Sequence, residues 1–428
     1  MKILVTGSGG REHGLAWSAA KSAEVERVYV TPGNAGTAID DKMENVDIDV
    51  VDFDAQIEFA QRNDVALTII GPEVPLVVGA ADKFQAAGLT CLGPGKEAAR
   101  LEGSKSFSKD FMKRHGIPTA LYGSFENADL AIEFANSMST PIVIKADGLA
   151  AGKGVVIAQT HSEAKSTILD MLSGNAFGEA GARVVIEEFL EGEEASFIVI
   201  ADGKNFLPFA TSQDHKAAFD GDKGPNTGGM GAYSPAPVVT PEVHKRIEDR
   251  VIKPTIAGMA EDGHPYIGFL YAGLMIDKDG NPKVIEFNCR FGDPETQPVM
   301  MRMKTDLVQL CLAATQGRLE GERIEFEDQV ALTVVIASGG YPGDYAKGCT
   351  IQGLGEIEGG KVFHAGTKLE DGEIKTSGGR VLGVTALGQT VGEAQAQAYK
   401  LVRDLSFDGM YYRSDIGYRA VARENGDA

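Results

Sequence analysis

The segment that most constrains this chain runs from Lys145 to Val155 and reads KADGLAAGKGV. Apolar runs lie on both sides of it, Pro141–Ile144 before and Val155–Ala158 after. Two strands joined by a loop with three glycines and a lysine predict a loop that covers phosphate groups, because glycine allows close approach of backbone N–H groups and lysine adds positive charge. The Walker pattern is excluded, since its Gly-Lys-Ser/Thr opens a helix. A tight hairpin with a solvated lysine is the alternative.

Length and charge limit the classes to which the chain can belong. With 428 residues it is too long for one hydrophobic core, so several domains are expected. The formal net charge of −20 argues against general binding to nucleic acid or to anionic membrane surfaces, although local lysines can still bind small anions.

The cysteines and the apolar runs predict a cytoplasmic protein. The four cysteines form no C-x-x-C pair, which indicates reduced thiols. The segment Met1–Gly7 passes directly into a strand and a glycine turn, so we expect no signal peptide. No apolar run of about 18 residues is present, and no membrane span is expected.

Residues 1–102 alternate short apolar runs with stretches of helical periodicity. This alternation predicts a doubly wound α/β domain with parallel strands. The expected strands are Lys2–Thr6, Arg27–Thr31, Ala66–Ile70 and Leu89–Leu92, and the expected helices are Arg11–Lys21 and Asp54–Arg62.

The first turn of this domain, Gly7–Gly14, departs from a dinucleotide-binding turn. Glu12 replaces the third glycine of G-x-G-x-x-G and no acidic residue ends the second strand, so a nicotinamide cofactor is not expected. A glycine turn before a helix still suits one phosphate or sugar, and simple packing of helix on strand is the alternative. Glu73 follows a later strand at the edge where ligands bind in such sheets; it either binds hydroxyl or amine groups or is solvated.

The next part of the chain offers further candidates for nucleotide binding. Ser104 is suited to cap a helix that continues to His115, which places Lys105 in a first turn where the helix dipole disfavours a cation unless an anion is bound. The strand Arg183–Ile186 continues into Glu187–Glu194, where apolar side chains could hold a planar base and an acidic one its ribose. A common acidic turn is the alternative.

Between Gln213 and Gly231 lie a polar cluster and a glycine-dense stretch without periodicity. A long structureless stretch within a compact domain is usually functional or disordered. Asp214 and Lys216 would be titratable neighbours in a cleft, whereas His215 is more simply a buried structural histidine.

The strand Pro282–Phe287 ends in a second polar motif. Strand alternation places one set of side chains on the open face, namely Glu286, Asn288 and Arg290, and the other set on a buried face, namely Ile285, Phe287 and Cys289. A carboxylate, an amide oxygen and a guanidinium in a row suit Mg²⁺ and phosphate oxygens. Residues 326–428 predict a small α+β domain, in which Ser377–Arg380 opens a strand and either contacts a phosphate or forms a plain turn.

Four of these motifs, in this order and at these separations, resemble the ATP-grasp superfamily and, within it, the glycinamide ribonucleotide synthetase (phosphoribosylamine–glycine ligase) family. The similarity extends over essentially the whole chain and is strongest at Gly7–His13, Lys145–Val155, Gln213–Lys216 with Asn226–Gly231, and Glu286–Glu295. It implies a pre-ATP-grasp α/β domain over residues 1–102, an ATP-grasp domain of two lobes over 103–325 with a mobile lobe at 120–192, and a C-terminal α+β domain over 326–428.

The resemblance also implies a reaction of purine biosynthesis, the ATP-dependent ligation of glycine to 5-phosphoribosylamine. Its products would be glycinamide ribonucleotide, ADP and phosphate. A carboxylate does not react with an amine at neutral pH, so glycine would first attack the γ-phosphate to give glycyl phosphate, from which the amine would displace phosphate. The protein would chiefly position reactants and neutralise charge. Mg²⁺, or Mn²⁺ in its place, is the implied cofactor.

For the nucleotide, the resemblance implies ligands on both sides of the glycine-rich loop. The phosphates would be bound by Lys105 and Lys145 and covered by Gly152, Lys153 and Gly154. Adenine would contact Glu187, Phe189 and Leu190, and the ribose would contact Glu194 or Glu193. The metal would be bound by Glu286 and Asn288.

For the other substrates, the implied residues come from two parts of the chain. Arg290 would stabilise the transferring phosphoryl group, and Asp214 and Lys216, with the loop Arg290–Gly292, would meet glycine and the sugar phosphate. The phosphoribosylamine pocket would be lined by Gly9, Gly10, Glu12 and Glu73.

One position departs from the superfamily pattern. Many members carry a metal-binding carboxylate about a dozen residues before the Glu-x-Asn, where this chain has Leu274. A second tightly held Mg²⁺ is therefore not expected unless Asp277 or a substrate oxygen replaces that ligand.

Three other functions remain open from the residues alone. They are an ATP-grasp ligase or carboxylase with a different acceptor, a non-catalytic nucleotide sensor, and a nicotinamide oxidoreductase. The joint presence of Lys145, Glu286, Asn288 and Arg290 argues against the sensor, and Glu12 argues against the oxidoreductase. A monomer is expected, because no free strand edge or exposed apolar helix is obvious.

Overall fold

The structure, a computed structural model, describes residues 1–149, 154–173, 182–355 and 358–427. Among these residues the strands form four larger sheets and two two-stranded ones. No helix in these ranges is long and apolar enough to cross a bilayer.

The first domain is a five-stranded sheet in the order β3-β2-β1-β4-β5, and all its pairings are parallel. The doubly wound α/β fold predicted from the alternation is confirmed, and all four predicted strands are present; four short elements, α2, β3, α4 and α5, were not predicted. The elements are β1 (Lys2–Gly7), α1 (Gly10–Ala20), β2 (Arg27–Pro32), α2 (Ala35–Ile39), β3 (Met43–Asn45), α3 (Phe53–Arg62), β4 (Val65–Ile70), α4 (Glu73–Val77), α5 (Ala80–Ala86) and β5 (Cys91–Leu92).

Two helices, α6 (Arg100–Gly103) and α7 (Lys105–Arg114), lead into a small lobe with a core of its own. Its four-stranded antiparallel sheet has the order β6-β9-β7-β8. Apolar residues of the strands pack against alanines and Ile168 of two helices. The elements are β6 (Tyr122–Phe125), α8 (Ala128–Asn136), β7 (Ile142–Ala146), β8 (Val155–Ala158), α9 (His161–Leu172) and β9 (Val184–Glu188).

The large lobe is built on the antiparallel sheet β11-β10-β16-β17. Part of its apolar surface joins the core of the first domain, since Ile198 and Val299 belong to the same buried cluster as Ile3. The elements are β10 (Glu193–Asp202), β11 (Phe206–Pro208), α10 (Pro241–Ile247), a π-helical turn (Glu248–Ile252), α11 (Lys253–Glu261), β16 (Ile267–Ile276), β17 (Pro282–Asn288), α12 (Thr296–Arg302) and α13 (Leu307–Thr315).

The C-terminal part contains a six-stranded sheet, β12-β15-β18-β22-β19 with β23 on β18. Strand β12 lies in the segment that the sequence left without periodicity, and β15 begins at the last residue of that segment; both strands are too short to show an alternating pattern. The elements are β12 (Gln213–Asp214), β13 (Ala217–Phe219), β14 (Lys223–Asn226), β15 (Gly231–Ser234), β18 (Val330–Ser338), β19 (Gly360–His364), β20 (Thr367–Glu370), β21 (Glu373–Thr376), β22 (Arg380–Gly388), α14 (Val391–Val402), β23 (Met410–Tyr411) and α15 (Tyr418–Asn425).

This sheet crosses the domain boundary predicted at residue 326. Strands β12 and β15 pair with each other, and β15 pairs with β18. Asp214 at the end of β12 is therefore held against the C-terminal sheet, while the strands before and after that segment belong to the large lobe. The C-terminal part thus closes one side of the cleft between the lobes.

Candidate active site

A cavity of about 410 Å³ lies where the first domain, the two lobes and the C-terminal part meet. Its wall is polar and carries both signs of charge. The charged lining residues are Arg11, Glu73, Glu102, Lys105, Lys109, Lys145, Glu187, Asp214, Lys216, Glu286, Arg290, Asp293, Glu295 and Arg380.

Three lysines meet on the side of the small lobe. Lys145 on β7 and Lys109 on α7 hold the Glu187 carboxylate between them, with Lys145 Nζ 3.0 Å from Oε1 and Lys109 Nζ 2.8 Å from Oε2. The side chains of Lys145, Lys109 and Glu187 are buried, and burial lowers the pKa of Lys109 to about 8. Lys105 at the start of α7 also lines the cavity, so this side carries a surplus of positive charge that suits a polyanion.

Lys105 also contacts the root of the glycine-rich loop. Ser104 caps α7 as the sequence predicts, and Lys105 Nζ donates to the Gly148 carbonyl at 2.7 Å. Burial lowers the pKa of Lys105 although acidic neighbours such as Glu286 oppose this. Gly154 lines the cavity and its carbonyl accepts from Ala146 N. The predicted lid residues Gly152 and Lys153 lie outside the described residues.

Glu286 and Asn288 line the cavity between the lysines of the small lobe and the wall that carries Asp214, Lys216 and Arg290. Burial alone would raise the pKa of Glu286, but Lys216, Lys145 and Lys105 lower it below its usual value. Asn288 Oδ1 accepts from Arg290 Nη2 at 3.0 Å. A carboxylate and an amide oxygen are hard ligands that fit Mg²⁺.

The strand that carries these ligands has an irregularity that the predicted alternation of faces did not include. Gly273 pairs with Glu286 but Leu274 pairs with Val284, so the ladder shifts at Ile285. Ile285 was predicted to be buried and instead lines the cavity, because the shift turns it outward; its carbonyl accepts from Lys145 Nζ.

No group of three or more His, Cys, Asp or Glu side chains is arranged for a metal ion within the described parts of the chain. A cation at Glu286 and Asn288 would therefore complete its shell with oxygens from water or from a substrate. Leu274, in place of the usual carboxylate, is fully buried in the core of the large lobe.

Asp214 and Lys216, both half-buried, line the cavity wall where strand β12 joins the C-terminal sheet. Burial and the nearby carboxylates Glu295 and Glu194 raise the pKa of Asp214 to about 7, against the opposing effect of Lys216. Burial alone would lower the pKa of Lys216, but Asp214 and Glu194 hold it well above its usual value. This wall can therefore bind both a cationic and an anionic group of a small zwitterion.

His215, between them, points away and is a structural histidine as predicted. It is buried, and its Nε2 accepts from Gly417 N at 2.9 Å.

Arg290 is the centre of a network that reaches the first domain. Its Nη2 lies 3.3 Å from Glu102 Oε1, and its Nε lies 3.5 Å from Glu73 Oε2. That Nε atom is buried without a hydrogen-bond partner in the described residues. Arg11 Nη1 approaches the same Glu73 oxygen at 3.8 Å. These guanidinium groups, each faced by carboxylates, bring N–H donors of the kind that bind anions to one corner of the cavity.

The glycine turn of the first domain is arranged differently from the prediction. Glu12 folds back on its own helix, accepting from Gly9 N at 2.7 Å and from Arg11 Nε at 2.6 Å. A Cβ on Gly10 would lie 2.5 Å from Gln297 Nε2, so this glycine allows close packing on α12. Gly9, Gly10 and Glu12 do not line the described cavity, whereas Arg11, which the prediction omitted, does.

The predicted adenine and ribose residues occupy the edge between the lobes. Phe189 is 39% exposed, and Glu187 alone of these residues lines the described cavity. Glu193 pairs with Arg423 at 2.8 Å, and Glu194 pairs with Lys216 at 2.8 Å. Of the two ribose candidates, Glu194 therefore lies nearer to the cavity wall.

Several lining residues were not identified from sequence. They are Arg11, Glu102, Lys109, Tyr271, Asp293, Glu295 and Tyr341; Arg380, which also lines the cavity, belongs to the segment Ser377–Arg380, for which a phosphate contact was one of two predictions. Asp293 and Glu295 could have been proposed from the sequence, since they follow the Glu286–Arg290 motif within a few residues. Gly292, which was predicted, lies close to Glu295: a Cβ on it would be 2.6 Å from Glu295 Oε2.

Comparison with known proteins assigns the family. Three family profiles match: Phosphoribosylglycinamide synthetase, N domain, over residues 1–102; its ATP-grasp (A) domain over 103–296; and its C domain over 331–419. A phosphoribosylamine–glycine ligase of Vibrio parahaemolyticus is 61% identical over 426 residues, which cover 99% of this chain and 99% of the relative. This chain belongs to the phosphoribosylglycinamide synthetase family.

Other relatives agree with this family. A phosphoribosylamine–glycine ligase of Escherichia coli O157:H7 is 62% identical over 427 residues, covering 99% of this chain and 100% of the relative. The crystal structure of a phosphoribosylamine–glycine ligase of Thermotoga maritima has a TM-score of 0.86 at 36% identity, covering 97% of this chain and 100% of the other.

More distant structures share the fold. The biotin carboxylase domain of Hydrogenobacter thermophilus 2-oxoglutarate carboxylase, crystallised with MgADP, has a TM-score of 0.74 at 19% identity, covering 96% of this chain and 91% of the other. The predicted resemblance and the ATP-grasp fold class are thus confirmed.

Proposed function

We propose that this chain is a phosphoribosylamine–glycine ligase, which joins glycine to 5-phosphoribosylamine and converts ATP into ADP and phosphate. The observation that carries the proposal is one cavity with three lysines on one side, arginines on the other, and Glu286 with Asn288 between them. This set of groups suits phosphoryl transfer followed by acyl transfer, because negative charge develops on phosphate and carbonyl oxygens in these steps and cationic side chains stabilise it.

In the first step an oxygen of the glycine carboxylate attacks the γ-phosphorus of ATP. The new P–O bond forms as the bond between the γ-phosphorus and the bridging oxygen breaks, and ADP leaves with the electron pair. Lys105 and Lys145 neutralise the phosphates, while Arg290 faces the transferring group. The product, glycyl phosphate, carries a good leaving group on its acyl carbon.

In the second step the nitrogen of phosphoribosylamine attacks that acyl carbon. The C–O bond to phosphate breaks, phosphate leaves, and the nitrogen loses a proton as the amide forms. Glycine would lie against Asp214 and Lys216, whose opposite charges match its ammonium and carboxylate groups. The sugar phosphate would lie at the corner formed by Arg11 and Arg290, next to Glu73, with the Gly9–Gly10 turn behind it.

Glu286 and Asn288 would hold Mg²⁺, with Mn²⁺ as the alternative hard cation. When bound, the ion supplies charge neutralisation for the phosphates. The remaining nucleotide contacts stay as predicted: Glu187, Phe189 and Leu190 would hold adenine, and Glu194, rather than Glu193, would accept from the ribose. The domain limits at 102 and 325, a monomeric state and a cytoplasmic location also stay predictions.

The experiment is a steady-state assay of ADP release with Mg²⁺, ATP and glycine, with and without freshly generated phosphoribosylamine. We expect release only when both glycine and the amine are present. Asp249→Asn is a suitable control, because Asp249 pairs only with lysines on an exposed helical surface. ADP release that needs neither substrate would contradict the proposal, and release with a different acceptor would leave only the ATP-grasp fold.

A further inference from the structure

A small hairpin connects the active-site wall to the C-terminal part. Its strands β13 and β14 pair only with each other, through Ala217 with Asn226 and Phe219 with Lys223. Lys216 immediately before it and Thr227 immediately after it both line the cavity. The position of the hairpin therefore sets the position of two residues on the cavity wall.

The hairpin cannot hold this position by itself. All four residues of β14 are exposed, and an isolated two-stranded hairpin is marginally stable in water. Ala218 is buried, but the hairpin contributes few other apolar side chains to any core. Its stability must come from contacts made by its tip and its base.

Asp222 at the tip supplies most of these contacts. Its carboxylate lies 2.9 Å from Arg413 Nη1 and 2.7 Å from Arg419 Nη2, and it accepts from the Tyr418 hydroxyl at 2.8 Å. These partners lie on one short segment of the C-terminal part.

The neighbours of Asp222 bind the same segment. Asp220 accepts from Ser414 N at 2.9 Å, and Gly221 N donates to Asp415 Oδ2 at 2.8 Å. The tip of the hairpin is thus held on residues 413–419 by side chains of the hairpin and by side chains of that segment.

Arg413 makes this contact specific. Its side chain is 0% exposed and is held by Asp222, Asp415 and the Ala217 carbonyl. A buried guanidinium is destabilising unless its charge is paired; Asp415 supplies one carboxylate from its own segment, and docking of the hairpin adds the second, Asp222, at Nη1. His215, whose Nε2 accepts from Gly417 N, fixes the base of the hairpin to the same segment.

We propose that Asp222 is a positioning residue, which holds the hairpin on the C-terminal part and thereby places Lys216 and Thr227 at the substrate-binding wall. The kinetic part of this inference rests on the proposed function. Because Lys105, Lys109 and Lys145 lie on other elements, ATP binding should depend on Asp222 only weakly, through Glu194, which pairs with Lys216 at 2.8 Å. Binding of glycine, which we place against Lys216, should depend on it.

The test uses Asp222→Asn and Tyr418→Phe in the full chain. Asparagine keeps one acceptor oxygen for Arg413, and the phenylalanine removes a single hydroxyl, so both variants should fold. We expect Asp222→Asn to raise the KM for glycine about tenfold, and Tyr418→Phe about threefold, while the KM for ATP stays within about twofold. Hydrogen exchange, read by mass spectrometry, should become faster in peptides covering residues 216–227 and their docking segment 413–419, and stay unchanged elsewhere.

Asp249→Asn is the matched control, since it also removes one carboxylate with two cationic partners. Equal KM values for glycine in Asp222→Asn and the natural chain would overturn the inference, whether or not exchange changes. A parallel rise in both KM values would overturn it as well, because that is the result of general destabilisation. A natural chain that releases no ADP would refute the proposed function instead, and exchange at residues 216–227 would then decide whether Asp222 holds the hairpin.

Discussion

Arg380 joins the C-terminal part to the large lobe at the edge of the cavity. It donates to the Gly228 carbonyl at 2.7 Å, to the Asp293 carbonyl at 2.9 Å and to Asp293 Oδ2 at 2.7 Å. Gly228 and Asp293 both line the cavity. Loss of Arg380 should therefore release two segments of the active-site wall together.

The size of the effect follows from these three hydrogen bonds. Bonds from a charged donor contribute about 1.5–3 kcal/mol, but the side chain of Arg380 is 20% exposed, so we take about 1 kcal/mol for each. Arg380→Met removes all three, which corresponds to about 3 kcal/mol and a loss of about 100-fold in kcat/KM. Arg380→Lys keeps the charge but can reach one acceptor, so we expect a loss of about tenfold.

The assay is steady-state ADP release at saturating ATP, with phosphoribosylamine varied. Thermal unfolding followed by circular dichroism should show that both variants remain folded at the assay temperature. An Arg380→Met variant whose kcat/KM stays within about threefold of the natural chain would refute the reasoning, because the wall would then keep its geometry without the three bonds.

Three further predictions concern a proposed metal ligand, a lysine near the proposed ATP phosphates, and the pH dependence of stability. Glu286→Ala should abolish ADP formation while circular dichroism shows an intact fold, because it removes the carboxylate proposed for the metal. Lys109→Met should raise the KM for ATP about tenfold, since Glu187 would then neutralise Lys145; Lys113→Met, on the exposed face of the same helix, should change nothing. Burial and the neighbouring His13 lower the pKa of His364 to about 3, so stability should fall as the pH falls below the usual value of about 6.5, where only the unfolded chain binds the proton. Between pH 6.5 and 5 this amounts to about 2 kcal/mol, and in urea unfolding at pH 5 and pH 7 His364→Gln should lose about that much less than the natural chain.

Each of these has a clear contrary result. Near-normal turnover by Glu286→Ala would remove the metal assignment. An unchanged KM for ATP in Lys109→Met would mean that the charge of Lys145 does not depend on its partner. Equal pH dependence in His364→Gln and the natural chain would assign the acid sensitivity to other groups, His13 among them.

Local patterns predicted the architecture well because each depends on neighbours in sequence. Alternating apolar runs predicted the parallel sheet of the first domain, and the Ser104 cap predicted the start of α7. The Glu286, Asn288 and Arg290 triplet predicted a polar strand end, although the register shift at Ile285 could not be inferred, since it depends on pairing with β16.

The site contacts that could not be predicted join residues that are far apart in the sequence. Arg380 contacts Asp293 across 87 positions of the chain, and Lys109 contacts Glu187 across 78. Lys109 and Lys113 lie four residues apart on the same helix, and nothing in the local sequence distinguishes them. Lys109 is buried because the small lobe packs over it, whereas Lys113 is exposed. Glu12 looks like a pocket residue beside two glycines, but its side chain turns back to cap its own helix.

The most direct test of the account follows oxygen from glycine into phosphate. Glycine with a heavy-oxygen label in its carboxylate is supplied with ATP, Mg²⁺ and phosphoribosylamine, and the phosphate formed is analysed by mass spectrometry. Attack of the carboxylate on the γ-phosphorus predicts that each phosphate released carries one labelled oxygen and that the amide product keeps the other. Unlabelled phosphate, formed together with glycinamide ribonucleotide, would contradict the glycyl phosphate route.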